Sequence, residues 1–372
     1  MNTRSKEQFM GHAIALAERG RGAARPNPCV GAVLVQDDRI VAEGWHTACG
    51  QPHAEVEALR DATRKGIDTR KCTLFVTLEP CNHHGKTPPC TRAILDAGIP
   101  RVMVGTRDPN RDVAGGGNDV LRQNGVEVKC GILEQECRDL IADFLIWQTS
   151  DRPYVTLKLA TTLDGKIATR AGHSAWVSGP ESRNSVHRLR ARMQAVLVGG
   201  ETFRKDNPSL TCRLDDFSGP HPLAVVATST LPHPKDDCFL LARRPGETIF
   251  WTTEKAAGSD TADALRGLGC RVWGLADNEQ GLMLDTGLQR LRRETRVLDL
   301  LCEGGGRLAM SLLSQGLADE LHLFLAMKVL GDQNGASGFS GRTVLSMHDC
   351  VPLRRVETRP SGDDLFLRFI PR

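Results

Sequence analysis

Among 372 residues there is a single tyrosine, and aromatic side chains make up only 5%. Single-stranded nucleic acid is held largely by bases stacked on aromatic rings, so this scarcity disfavours such a polymer as substrate. Net charge is nearly missing too. Against 45 acidic residues stand 48 Lys and Arg, a formal +3, too little for the concentrated basic surface that drives nucleic-acid binding. No apolar run approaches the roughly 18 residues that a membrane span needs, so no membrane partner is expected. The stretch "MNTRSKEQFMGHAIALAERG" lacks a long apolar core and a small-residue cleavage site, so it does not read as a secretory signal. Internal repeats and low-complexity tracts are also missing.

Cysteine is plentiful by contrast, with twelve in the chain. They are scattered through a long sequence without a signal peptide, which points to reduced thiols and a cytoplasmic location rather than a disulfide framework. Cys29, Cys130, Cys238 and Cys270 read as small packed side chains. The chain is longer than a single hydrophobic core usually grows, so two domains are expected. Its hydrophobic share of 40% and charged share of 25% are those of a soluble globular protein.

Periodicity supports two α/β halves. A helix is expected over Ser5 to Arg19, then a hairpin of "VGAVLV" and "IVAEGWH" about the turn "QDDR". A helix from about Ala54, the strand "TLFVTL", a short helix near "TRAILDAG" and the strand "RVMVG" follow. A Gly-rich turn, a helix around "DVLRQNG" and the strand "VEVKCG" complete a sheet covered by helices on both faces. The boundary is placed near "TSDRP", giving domains of 1–148 and 149–372. Beyond it the strands "YVTLKLA", "QAVLVG", "LAVVAT", "TIFWT" and "RVLDLLCEGG" alternate with helices such as "ESRNSVHRLRAR" and "GRLAMSLLSQG". The segments "ELHLFLAM" and "DLFLRFI" suggest an antiparallel edge.

Between Pro52 and Cys90 the sequence reads "PHAEVEAL" and later "TLEPCNHHGKTPPC". His53, Cys81 and Cys90 are good zinc ligands, and three protein ligands are what a catalytic zinc site uses, leaving one position for water. Pro52, Pro80 and Pro89 precede the three ligands, so each is expected near a helix start, where positive partial charge favours a thiolate. Glu55 is a poor ligand beside two thiolates. Its better use is to take a proton from the metal-activated water and deliver it to a leaving group, as in zinc deaminases. Two plainer readings remain at this point. One is a closed structural zinc with His83, His84 or Cys72 as fourth ligand. The other is packing with no metal at all. Nucleobase deaminases usually close the motif as P-C-x-x-C, whereas eight residues separate Cys81 from Cys90 here.

That longer insert, with "PHAEV", "RPNPCVGAVLV", "RDPN" and "VAGGG", resembles the deaminase half of the bifunctional riboflavin-biosynthesis deaminase/reductase family. The resemblance implies a cytidine-deaminase-like α/β/α domain whose substrate is a diaminopyrimidinone carrying a phosphoribosylamino group. It also implies substrate contacts at Asn27, Lys86 and Asn110. His83 and His84 read better as pocket walls, or as partners of the ligands, than as ligands themselves.

In the second half, "LKLATTLDGKIAT", "SAWVSG", "GGETFRKDNPSLTCR" and "EGGGRL" resemble, in order, the reductase half of the same family. This implies a dihydrofolate-reductase-like α/β fold that uses NADPH to reduce the ribosyl group to ribityl. Strand, Gly-rich turn and helix around Gly304 to Gly306 suit a phosphate, although no G-x-G-x-x-G opens a βαβ unit. By the same carry-over, NADPH contacts fall on Ala160, Trp176, Thr202, Asp206, Ser229, Gly305, Gly306 and Arg307. Substrate contacts fall on Lys158, Ser174, Arg190, Leu210, Arg213 and Glu303. Lys158, Asp206 and Glu303 are candidate proton sources or electrostatic aids to hydride transfer, and arginines suit a sugar phosphate. Trp176 could equally be core, and Arg190 a solvated helix charge. A homo-oligomer is what the family suggests. The competing readings are a nucleoside or nucleic-acid deaminase fused to a nucleotide-binding domain, and a non-catalytic zinc-stabilised module. The scarce aromatics and the long Cys81–Cys90 insert count against the first, and Glu55 against the second.

Overall fold

In the computed structural model, residues 3–83, 88–109, 116–278 and 281–372 are described. The chain divides into two compact units, Met1–Ser150 and Asp151–Arg372. No helix among the described residues is long and apolar enough to cross a membrane.

The first unit begins with α1 (Thr3–Ala17), then β1 (Gly31–Gln36) and β2 (Arg39–Trp45). Asp37 and Asp38 join the two strands with φ of 49° and 55°, the left-handed pair that a two-residue hairpin turn requires. Next come α2 (Ala54–Arg64), β3 (Thr73–Leu78), α3 (Cys90–Asp96), β4 (Arg101–Thr106), α4 (Gly117–Gln123), β5 (Glu127–Cys130), α5 (Glu134–Leu140) and α6 (Ala142–Thr149). The sheet order is β2-β1-β3-β4-β5, antiparallel about β1 and parallel from β3 to β5. All six residues of β3 are buried, because helices cover the sheet on both sides. On one side Met10, Ala13 and Leu16 of α1 and Cys137 of α5 pack on Val33, Val35, Phe75 and Met103. On the other, Ala54 and Ala58 of α2 sit on β2 at Gly44. A Cβ at position 44 would lie 2.3 Å from the Ala58 nitrogen and 2.4 Å from the Ala54 oxygen. That contact sets the height of the helix that carries Glu55.

The second unit holds a nine-stranded sheet. Its strands run in the order Arg271–Leu275, Thr248–Thr253, Leu223–Ala227, Ala195–Gly199, Asp299–Cys302, Tyr154–Thr162, Glu320–Ala326, Asp364–Pro371 and Leu353–Ser361. The first seven are parallel and the last two antiparallel. Alternate residues of the same strands feed two separate cores, as a sheet buried on both faces demands. Val155, Leu157, Leu197, Val225 and Trp251 face one, while Val196, Val198, Val226, Phe250 and Leu301 face the other. Two strands of this sheet have no counterpart in the sequence pattern, Arg271–Leu275 and the edge strand Leu353–Ser361. The anticipated antiparallel pairing of Glu320–Ala326 with Asp364–Pro371 is present. All twelve cysteines are free.

Candidate active sites

In the first unit, His53 is the residue before α2 and has extended backbone, so its side chain is not bound to helical geometry. Glu55 is then in that first turn and only 3% exposed. Cys90 opens α3. Cys81 departs from expectation, since it lies in an irregular loop after β3 rather than at a helix start. The first turn of α3 holds it instead. The Thr91 N–H donates to the Cys81 carbonyl at 3.2 Å, Thr91 Oγ1 donates to Asn82 at 2.8 Å, and the Cys90 N–H points at Cys81 Sγ at 3.4 Å. Pro80 restricts the chain without starting a helix.

The donor atoms of His53, Cys81 and Cys90 all lie within 4.8 Å of one another. His53 Nδ1 is 3.2 Å from Cys90 Sγ and 3.5 Å from Cys81 Sγ. A tetrahedral zinc with bonds of about 2.3 Å to sulfur and about 2.1 Å to nitrogen would set these near 3.6 Å, so the donor set fits zinc. Neither His83 nor Cys72 joins the group. Cys81 carries the charge of the pair, because the Cys90 thiol donates to it and holds its pKa well below that of a free thiol. The shared proton raises Cys90 correspondingly. Burial, reinforced by the charge on Cys81, pushes the Glu55 carboxyl up to about 7.

A cavity of about 400 Å³ opens onto this cluster, lined by Asn27, His46, His53, Glu55, Cys81 and His83 among others. His46 was not singled out from the sequence. Its Nδ1 lies 3.1 Å from the Pro52 carbonyl, which can only accept, so Nδ1 carries the proton. Its Nε2 then accepts from Asn27 Nδ2 at 3.1 Å, which leaves the Asn27 carbonyl oxygen for other partners. Glu79, Phe144 and Gln148 also line the cavity from distant parts of the unit. Lys86, Asn110 and His84 lie outside the described residues.

In the second unit a cavity of about 740 Å³ lies along the carboxyl ends of the parallel strands. Eleven of the residues carried over line it: Lys158, Ala160, Ser174, Trp176, Thr202, Asp206, Ser229, Glu303, Gly305, Gly306 and Arg307. Trp176 is 68% exposed with the Arg183 guanidinium 4.2 Å over its ring, so it is not core. Arg190, Leu210 and Arg213 do not line the cavity. Arg190 is no solvated helix charge either. It is largely buried, pairs with Glu303 and donates to the Thr211 carbonyl at 3.0 Å. The Leu210 side chain is buried in the core beside Val198 and Phe203. Arg213 is exposed, its N–H donating to His187 Nδ1 at 3.2 Å.

Glu303 follows the strand Asp299–Cys302 and meets Lys158 Nζ at 3.0 Å. Burial alone would raise its pKa, but the charges of Lys158 and Arg190 more than reverse this and hold it at about 2. Asp164, at the expected turn, stands outside the cavity lining and ties that turn to the backbone of Leu330 and Gly331 at 3.0 and 2.9 Å. The helix Gly306–Ser314 points its N-terminus at the cavity through Gly305. A Cβ on Gly306 would collide with the Ser337 carbonyl at 2.1 Å. Such a glycine turn fits the phosphates of a nucleotide.

A buried carboxyl beside an imidazole and two sulfurs suits a metal-dependent hydrolase, and a glycine turn over a sheet-end cavity suits a nucleotide-binding domain. The zinc-binding region of cytidine and deoxycytidylate deaminases matches residues 3–106, and the RibD C-terminal domain matches residues 153–367. The riboflavin biosynthesis protein RibD of Aquifex aeolicus is 39% identical over 363 residues, 98% of either chain. That of Bacillus amyloliquefaciens is 38% identical over 371 residues, 99% of this chain and 96% of its own. Among solved structures, Acinetobacter baumannii RibD matches with a TM-score of 0.77 at 33% identity, covering both chains fully. The diaminohydroxyphosphoribosylaminopyrimidine deaminase/5-amino-6-(5-phosphoribosylamino)uracil reductase of Thermotoga maritima also gives 0.77, at 38% identity over 100% of this chain and 99% of its own. The chain belongs to the RibD family of riboflavin-biosynthesis proteins. It joins a zinc-dependent deaminase to a reductase.

Proposed function

We propose that the first unit deaminates 2,5-diamino-6-(5-phosphoribosylamino)pyrimidin-4-one and the second reduces the ribosyl group of the product to ribityl with NADPH. The observation that carries the deaminase half is the buried Glu55 beside the His53, Cys81 and Cys90 donors. Zinc bound by those three residues supplies the Lewis acidity that makes water a nucleophile at neutral pH. Glu55 takes the proton released by the attacking water and delivers it to the departing amine, so that ammonia leaves and the ring carbon keeps oxygen. A carboxylate that takes this proton becomes the acid that gives it up again, so one buried group serves both transfers. Asn27, its amide turned by His46, offers its carbonyl oxygen to an N–H on the pyrimidine ring. Lys86 and Asn110 complete the substrate contacts by resemblance.

In the second unit NADPH supplies the hydride. Gly305, Gly306 and Arg307 receive its phosphates, while Ala160, Trp176, Thr202, Asp206 and Ser229 line its path. Lys158, held 3.0 Å from Glu303, delivers the proton that accompanies reduction of an open-chain imine. Ser174 lines the same cavity and contacts the substrate, while Arg190, Leu210 and Arg213, which stand outside its lining, are assigned to the substrate by resemblance. The free state of all twelve cysteines supports a cytoplasmic location. Exposed Leu345 and Met347, at 97% and 85%, support a homo-oligomer that covers them. The near-neutral charge supports a small-molecule substrate over nucleic acid.

The deciding experiment follows NADPH consumption by zinc-loaded protein given the phosphoribosylated diaminopyrimidinone, beside Glu55→Ala. Oxidation by wild type, lost in the variant and restored by the already deaminated compound, is expected. If wild type oxidises NADPH with neither compound, the reductase assignment fails, and ammonia release becomes the test of the first unit alone.

A further inference from the structure

From Lys158 the cavity crosses four adjacent parallel strands. Lys158 lies on Tyr154–Thr162, and Gly304 to Gly306 follow Asp299–Cys302. Gly199 and Gly200 end the next strand, Ala195–Gly199, while Thr228 and Ser229 follow Leu223–Ala227. Three strand spacings span about 14 Å. With hydride transfer at Lys158 and the pyrophosphate at the glycine turn, a dinucleotide laid along this row puts its second ribose beside Thr228 and Ser229. This step rests on the reading of the cavity as the NADPH site.

Arg204 stands at that far end. It lies on the helix Gly200–Asp206, and its Nη1 donates to Thr228 Oγ1 at 3.2 Å. The Thr228 hydroxyl gives its own proton to the Thr230 carbonyl at 2.9 Å, so its oxygen is turned to accept from arginine. Gly200 makes the reach possible. A Cβ there would lie 2.3 Å from Thr228 Oγ1 and 3.0 Å from Arg204 Nη1. The remaining N–H groups of Arg204 have no acceptor among the described residues, and no carboxylate pairs with it there. The neighbouring acid, Glu201, is taken by Lys205 at 2.7 Å. A guanidinium held at one corner and open along its other edge is built for a phosphate dianion.

We infer that Arg204, anchored on Thr228, binds the phosphate on the 2′-oxygen of the second ribose and so selects NADPH over NADH. An adenosine without that phosphate leaves the guanidinium in water and gains nothing from it.

The test measures binding by titration calorimetry of NADPH, NADH and adenosine 2′,5′-bisphosphate to wild type and Arg204→Ala, with turnover measured alongside. Arg204 is exposed, so the variant is expected to fold. NADPH and the bisphosphate should each weaken by about tenfold or more, the cost of one charge-assisted contact, with NADH affinity unchanged. Thr228→Val should weaken the same two ligands by a smaller factor, and Arg204→Lys should recover part of the loss. Equal losses for NADPH and NADH, or no loss for either, would overturn the assignment of Arg204 while leaving the dinucleotide site standing. Wild type that binds neither dinucleotide would overturn the site itself and Arg204 with it.

Discussion

Glu303 lies between two cations, with Lys158 Nζ 3.0 Å from its Oε2 and the Arg190 guanidinium on its other oxygen. Neither cation is near it in sequence. Removing the carboxylate leaves two buried positive groups facing one another, and a broken buried pair costs about 3–5 kcal/mol. Glu303→Gln should lose stability on that scale in urea denaturation at pH 7. A loss below about 1 kcal/mol would show the site relaxing by admitting water.

The pH dependence of that loss has a definite sign. An ordinary glutamate titrates near 4.5, and Glu303 is held at about 2. Its ionised form therefore stabilises the fold fully above about pH 4.5, and the contribution fades as pH falls toward 2. The gap between wild type and Glu303→Gln should narrow over that interval. A gap that stays constant from pH 5 to 2.5 would mean that folding does not shift the Glu303 pKa.

Lys158→Ala separates binding from chemistry in the reductase unit. Loss of a positioned proton donor costs about 10²–10⁴ in rate. Turnover of the deaminated compound should fall in that range while NADPH affinity, measured by calorimetry, changes little. A fall in NADPH affinity equal to the fall in rate would make Lys158 a cofactor contact instead.

Gly44→Ala tests how the deaminase site is held in place. No space exists between β2 and the backbone of α2, so the added methyl must lift the helix that carries His53 and Glu55. Overpacking of this kind costs about 1–3 kcal/mol. Bound zinc by elemental analysis and ammonia release should both drop, with reduction of the deaminated compound retained. Full zinc content with full deamination would show that α2 tolerates the shift.

Metal removal should divide the two activities in the same way. Prolonged chelation should abolish ammonia release and leave NADPH oxidation with the deaminated compound intact. Cys81→Ser and Cys90→Ser should each lower zinc content without any chelator.

The local chemistry of the site was legible in the chain. A His and a Glu two apart at a helix entry, and two prolines each just before a cysteine, are short-range patterns whose geometry depends on a few backbone angles. The hairpin turn at Asp37–Asp38 and the fully buried β3 are similarly local, since period and turn chemistry need no distant partner. The strand Leu353–Ser361 was not legible, because an edge strand need bury only part of one face and can carry Pro360, so it has no apolar alternation.

Tertiary structure alone decided the rest. His46 turns Asn27 from 19 residues away, and Arg190 reaches Glu303 across 113. No periodicity encodes such pairs, because they exist only after strands far apart in sequence become neighbours in a sheet. Burial then sets what the groups do. The same glutamate chemistry stands at about 7 beside the negative Cys81 and at about 2 between Lys158 and Arg190, a difference made by surroundings that the sequence does not place side by side.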